Sequence, residues 1–164
     1  MAFDMREEGF IAGLQEALKA EPLPGKRVLD YGCGNAEFGL WLAAESAEVT
    51  LLDCSAQAIG AGLSRARGAG VTRRVKGIVA HGTQLDMFAD FAFDLVLLHG
   101  DTPWDVEEIA RIMRPGARLV SYLEISDSQL ARHFEAKCEW NASGGIHWPW
   151  QKKNCPIWTA RRAR

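Results

Sequence analysis

Short apolar runs alternate with segments of helical spacing along most of this chain, and that alternation limits the fold more than any other feature. Lys26–Tyr31, Val49–Leu52, Val75–Ala80, Phe93–Leu98 and Ala117–Leu123 read as strands. The first of these reads as a short buried strand. Asn35–Glu45 carries Phe38, Leu40, Trp41 and Leu42 at helical spacing, and Ser55 caps a following helix of small residues. Thr102 reads as the N-cap of another helix, with Pro103 at its first position and Ile109, Ile112 and Met113 beyond. Arg114-Pro115-Gly116 stops that helix. Strands joined by such crossovers run parallel. At the start, Phe3–Ala20 has helical spacing and Pro22–Pro24–Gly25 ends it. At the other end, Ser126–Lys137 reads as an amphipathic helix. Cys138–Asn141 and Pro156–Ala160 read as strands with no helical pattern between them, which predicts an antiparallel hairpin. The expected fold is α/β, a doubly wound, mostly parallel sheet of seven strands with helices on both faces. It forms a single domain over 1–164, with helix 1–20 over the site and the core in 26–164.

With 164 residues, 48% hydrophobic and 24% charged, the chain is ordinary for one globular core. That excludes a disordered, collagen-like or coiled-coil chain. Nineteen basic residues against 21 acidic ones leave a net charge of −2, so overall charge gives no case for nucleic-acid or membrane binding. No stretch reaches the roughly 20 apolar residues of a membrane helix. The first ten residues hold Asp4, Arg6, Glu7 and Glu8 rather than the basic start and apolar run of a signal peptide. A soluble, cytoplasmic protein is therefore expected. Cys33, Cys54, Cys138 and Cys155 form no CxxC pair, so neither a metal site nor a disulfide framework is expected.

In an open α/β sheet, ligands bind beyond the carboxyl ends of the strands. The first such end is Asp30-Tyr31-Gly32-Cys33-Gly34-Asn35-Ala36, where two glycines let the backbone turn sharply and approach a ligand. A dinucleotide fingerprint would need glycine at position 37. That position is Glu37, whose carboxylate opposes a pyrophosphate at a helix start.

Val28 to Ala36 instead resembles the first motif of class I S-adenosylmethionine-dependent methyltransferases, an acidic residue followed by alternating glycines, with Ala36 in place of the third. Further stretches resemble that family in order: Asp53-Cys54-Ser55 with Ile59, Ala80-His81-Gly82-Thr83-Gln84-Leu85, Phe93 to His99, Arg111 to Gly116, and Cys155 to Arg161. The resemblance covers residues 26 to 162 and implies a Rossmann-like fold that binds S-adenosyl-L-methionine and releases S-adenosyl-L-homocysteine. It implies cofactor contacts from Asp30, Tyr31, Gly32, Cys33 and Gly34 on the first loop. Asp53 and Cys54 follow on the second, with Asp53 holding the ribose hydroxyls, a role suited to a carboxylate that can accept twice. His81, Gly82 and Thr83 on the third would approach the adenine, His81 standing where the family usually has Asp. His99 would line the site from the fourth.

His99 is also the leading candidate for a general base, because its ring titrates near neutrality; His81 and His147 are weaker ones, and His133 is placed at the surface of the last helix. Asp101-Thr102-Pro103-Trp104 resembles the box of amino-directed nucleic-acid methyltransferases, in which an aromatic stacks on a flipped base; helix capping explains the same residues. Trp140, Trp148, Trp150 and Trp158 crowd the C-terminal segment, either as packing or as a binding surface. Arg65, Arg67, Arg73, Arg74 and Lys76 form a basic run that reads as a solvated face, with RNA binding the alternative. Arg6 on the first helix could pair with the cofactor carboxylate.

The reading is a methyltransferase acting on an unidentified small-molecule acceptor. The alternatives are an RNA or DNA methyltransferase and a catalytically silent scaffold of the same fold. So short and open a site suits a small-molecule acceptor, a large macromolecular one, or completion by a second copy in a homo-oligomer or by a partner subunit.

Overall fold

A computed structural model of the chain describes residues 14, 15, 17–81, 83–99, 103–121, 133–140 and 157–163. The strands are β1 (Arg27–Tyr31), β2 (Glu48–Asp53), β3 (Val75–Val79), β4 (Phe93–Leu98), β5 (Met113–Ser121), β6 (Phe134–Trp140) and β7 (Ile157–Arg162). The helices are α1 (Glu37–Ala44), α2 (Ala56–Gly68) and α3 (Val106–Ile112). One sheet runs in the order β3-β2-β1-β4-β5-β7-β6. Pairing is parallel from β3 through to β5. β7 runs antiparallel to both β5 and β6, which gives the antiparallel C-terminal hairpin. The chain winds outward from β1 to β3 and then crosses back to β4, so the order reverses between β1 and β4. The carboxyl ends of those two strands form the switch point at which such sheets bind ligands.

Period two along the central strands divides the interior. Val28, Val49, Leu51, Leu95 and Leu97 face α1 and α2 in one core. Leu29, Tyr31, Leu52, Val96 and Leu98 pack with Ile109 and Ile112 of α3 in the other. Leu14 and Leu18 of the first helical segment close the first core.

Several boundaries differ from the sequence expectation. The cap of α3 is Asp105, whose carboxylate accepts from Glu107 N–H at 2.8 Å, and Pro103 lies outside the helix. Pro103 is held there because its carbonyl accepts from Tyr31 Oη at 2.8 Å. β5 begins at Met113, four residues early, since Met113 already pairs with Phe93. Pro115 and Gly116 (φ +80°) then sit within an irregularity of that ladder, which resumes at Leu95 and Arg118. Phe134–Lys137 belong to β6 rather than to a helix; residues 126–132 of that expected helix lie outside the described ones. Pairing of Phe134 with Arg162 and Lys137 with Ala160 overrides the local helical spacing. His133 therefore precedes a strand, and its Nε2 lies 2.6 Å from Glu107 Oε2.

Ion pairs tie distant segments to the sheet. Glu21 accepts from Arg118 Nη2 at 2.8 Å and also pairs with Arg161. Asp94 accepts from the Arg27 backbone N–H at 2.9 Å and from Arg114 Nη1 at 3.0 Å. Burial alone would raise both carboxyl pKa values, but these donors outweigh it and hold both below the usual range. A group with a lowered folded-state pKa stabilises fully above its unfolded value, about 4.3 for Glu and 3.9 for Asp. That stability is lost as pH falls through the lower folded value. Urea midpoints should therefore hold steady from pH 7 to about 5 and fall below about pH 4.5. The fall should be shallower in a Glu21→Gln, Asp94→Asn double variant; equal slopes would show that these pairs do not govern acid unfolding.

Candidate functional site

The turn after β1 takes left-handed backbone at alternate residues: Gly32 (φ +74°), Gly34 (φ +47°) and Ala36 (φ +61°). Glycine adopts this conformation without steric cost, whereas Ala36 is strained in it. The N–H groups of Gly32 and Cys33 both donate to Leu52 O, at 2.8 and 3.1 Å, which binds the turn to the end of β2. A Cβ on Gly34 would meet no atom within 4 Å, so the turn opens there. Cys33 points inward and is buried. Burial, then the nearby Asp30 and Asp53 carboxylates, push its thiol pKa up, so it is no nucleophile at neutral pH.

Asp53 ends β2 half-buried. Its Oδ2 accepts from Gly34 N–H at 2.9 Å and its Oδ1 from Ser55 N–H at 2.8 Å. Each carboxylate oxygen can accept two hydrogen bonds, so one position on each is left for a ligand. The Asp53 carbonyl accepts from Ala80 N–H at 3.0 Å, which draws the third loop alongside. Val79, level with Asp53 in the ladder and 52% exposed, and the exposed Cys54 add apolar surface to this edge.

In the third loop, His81 N–H donates to Gln84 Oε1 at 3.2 Å and Gln84 N–H to His81 O at 2.9 Å. His81 and Thr83 are exposed; Gly82 lies outside the described residues. Beneath them Arg111 donates to the carbonyls of Leu85 and Phe88, at 3.0 and 2.8 Å. It also pairs with Glu108 and Asp90.

His99 follows β4 and donates its backbone N–H to Tyr31 O at 3.1 Å, at the root of the glycine turn. Its ring stacks on Phe38 with centroids 5.0 Å apart. Asp30 is fully buried: Oδ2 accepts from Gly39 N–H at 3.0 Å, and Oδ1 lies 2.7 Å from His99 Nε2. Tyr31 is also fully buried. Burial, with Asp105 nearby, pushes its hydroxyl pKa up to about 12, so it stays protonated as the donor to Pro103.

The fold thus gathers Asp30, Gly32, Gly34, Asp53, Cys54, His81, Thr83 and His99 at one end of the sheet, with Asp30, Tyr31 and Cys33 turned inward. Arg6, Asp101 and His147 lie outside the described residues. Sequence reasoning missed Arg65, which donates to Asn35 O at 2.8 Å and Glu37 Oε1 at 3.1 Å and so braces the turn from outside. The available signal was Glu37 itself: an acid in the first turn of a helix suits the dipole, and a nearly buried one needs a cation. Among the described residues, no three His, Cys, Asp or Glu side chains gather as a metal site. No described helix is long and apolar enough to cross a membrane.

These features agree with comparison to known proteins. A family profile described as a methyltransferase domain matches residues 22–161, and the chain belongs to that family. The 27-O-demethylrifamycin SV methyltransferase of Amycolatopsis mediterranei is 36% identical over 102 residues, 58% of this chain and 37% of that protein. The ribosomal RNA small subunit methyltransferase C of Chromohalobacter salexigens is 31% identical over 112 residues, 58% of this chain and 31% of that protein. The chain thus spans about a third of the length of these relatives, 37% of one and 31% of the other. An S-adenosylmethionine-dependent O-methyltransferase from Thermotoga maritima superposes with a TM-score of 0.72 at 15% identity, covering 100% of this chain and 68% of that one. At that identity the likeness is one of fold.

Proposed function

We propose that this chain binds S-adenosylmethionine and transfers its methyl group to a small-molecule acceptor. The observation that carries the reading is Asp53, a carboxylate held by two backbone N–H groups beside an open glycine turn. That donor and acceptor set fits a nucleoside: a carboxylate with one position left on each oxygen suits two vicinal hydroxyls, and Val79 and Cys54 offer apolar surface to a base. Gly32 and Gly34 let the backbone approach the amino-acid part. Bound there, S-adenosylmethionine supplies a methyl group already activated by its sulfonium. The protein's own work is then alignment and exclusion of water.

Trp104 favours a small acceptor over a flipped base. It packs against the second core, and the Pro103 carbonyl beside it is occupied by Tyr31. That packing takes up part of the ring that would otherwise stack on an extruded base. The first two residues of this stretch, Asp101 and Thr102, lie outside the described ones.

A thermal melt with S-adenosylhomocysteine, beside NAD⁺ as control, tests the cofactor. At about 100 times its dissociation constant the nucleoside should add about 2.7 kcal/mol. That corresponds to a rise of roughly 5–10 °C for a domain of this size. No rise, or an equal rise with NAD⁺, overturns the reading and favours the scaffold. Release of S-adenosylhomocysteine in a screen of small hydroxyl and amine compounds tests the acceptor; turnover confined to RNA overturns the small-molecule part.

A further inference from the structure

Three of the four crossovers between parallel strands carry a helix: α1 after β1, α2 after β2 and α3 after β4. In the fourth, from β3 to β4, the described residues of 80–92 form turns and no helix. A helix satisfies its own carbonyls, whereas such a connection must borrow donors. Arg111 of α3 supplies them. A guanidinium has five N–H groups in a planar fork, and here all five are used. Nε and Nη2 donate to the two oxygens of Glu108, at 3.0 and 2.8 Å, which fixes the fork to its own helix. Nη1 donates to Phe88 O at 2.8 Å and to Asp90 Oδ1 at 2.9 Å, and Nη2 donates to Leu85 O at 3.0 Å. The Arg111 carbonyl accepts from Phe91 N–H at 3.0 Å, and Phe91 sits in left-handed backbone (φ +57°) that is strained for a bulky residue. The other end of the loop is tied to Asp53 O through Ala80 N–H. Between these ties His81 and Gln84 close a turn on each other, and Leu85 beside it is fully buried.

We propose that Arg111 is a positioning residue whose forked guanidinium sets the loop after β3 against the edge formed by Asp53, Cys54 and Val79, and that selectivity for adenine depends on it. This rests on the methyltransferase reading, in which that edge and loop receive the base. Arg111 acts through the loop and not on the ligand, because every donor it has is spent on protein. A loop held at Leu85 leaves the His81–Gln84 turn little room to shift, so the groups that meet the base keep one spacing. Adenine presents a 6-amino donor beside an N1 acceptor. Hypoxanthine has the same size but presents a 6-oxo acceptor beside an N1–H donor. A fixed loop tells the two apart, because the wrong base leaves polar groups unpaired. A loop free to shift rearranges and loses that distinction. Lysine keeps the charge but has a single nitrogen, which cannot span these acceptors.

Arg111→Lys in the full chain tests this. Without ligand, amide hydrogen exchange read by mass spectrometry should show peptides spanning 83–91 exchanging about 10-fold faster or more, with β1 and α2 unchanged. Calorimetric titration with S-adenosylhomocysteine and with S-inosylhomocysteine reads the selectivity. The wild type should prefer the adenine ligand by about 10-fold or more, the worth of roughly one hydrogen bond. In Arg111→Lys the S-adenosylhomocysteine Kd should rise by about that factor while the S-inosylhomocysteine Kd moves by less than about threefold. The preference is then largely lost. An arginine that only stabilised the fold would lower Tm and weaken both ligands alike. That result, unchanged exchange over 83–91, or a wild type that binds both ligands equally overturns the proposal. Should Arg111→Lys fail to fold, Glu108→Gln, which loosens the fork from α3 and leaves the loop acceptors in place, is read in the same way. If the wild type binds neither ligand, the methyltransferase reading falls instead, and exchange still decides whether Arg111 holds the loop.

Discussion

Asp53→Ala should raise the S-adenosylhomocysteine Kd by about 100-fold or more while leaving a folded protein. The carboxylate is assigned two hydrogen bonds to the nucleoside hydroxyls. Bonds to a charged group contribute about 1.5–3 kcal/mol each, so losing both removes at least about 3 kcal/mol, or roughly two decades of affinity. The substitution also frees Gly34 N–H and Ser55 N–H, which Asp53 holds at 2.9 and 2.8 Å. Both bonds are exposed, so water can replace the carboxylate, and the loss of Tm without ligand should be small. Calorimetric titration of both proteins separates the two effects. A Kd within threefold of wild type would remove Asp53 from the site.

Gly39→Ala should be the most destabilising single methyl addition in this region. A Cβ there would stand 2.6 Å from Leu51 Cδ2, 2.7 Å from Asp30 Oδ2 and 3.2 Å from Val49 Cγ1. Leu51 is fully buried and Asp30 is held on both oxygens, so neither can retreat cheaply. The backbone of α1 must move instead, and the Gly39–Asp30 hydrogen bond lengthens with it. Overpacking costs about 1–3 kcal/mol, and disturbing a buried charged hydrogen bond adds about 1.5–3. A drop in Tm of roughly 5–24 °C follows for a domain of this size. Helix propensity alone would favour alanine over glycine by about 1 kcal/mol. A Tm equal to or above wild type would therefore mean that α1 does not pack this closely on β1 and β2.

Much of this site can be read in the sequence because its parts are local. A glycine turn needs left-handed backbone within three residues of a strand end, and Gly32 and Gly34 announce it. Asp53 reads as a site residue because a carboxylate closing an apolar strand needs a partner. The errors fall where a local pattern supports two answers. Thr102 and Asp105 are both good caps, and the bond from Tyr31 to Pro103, 72 residues apart in sequence, decides between them. Phe134–Lys137 fits a helix by spacing, but β7 offers unpaired backbone and takes it as a strand.

Asp30 shows the same division most clearly. Its type and position are legible, but the direction of its carboxylate is not, because that depends on Gly39 of α1 and His99 after β4 arriving together. Arg65 reads as one of five exposed cations until α2 packs 28 residues back against Glu37. The sequence by itself determined the alternation of strands and helices, the place where the chain turns sharply, and the carboxylate at the end of β2, all of them consequences of periodicity and backbone freedom over a few residues. Only the tertiary structure decided which polar groups border the open glycine turn and which face each other, because a buried charge takes its partner from whatever elements the packed core brings within 3 Å.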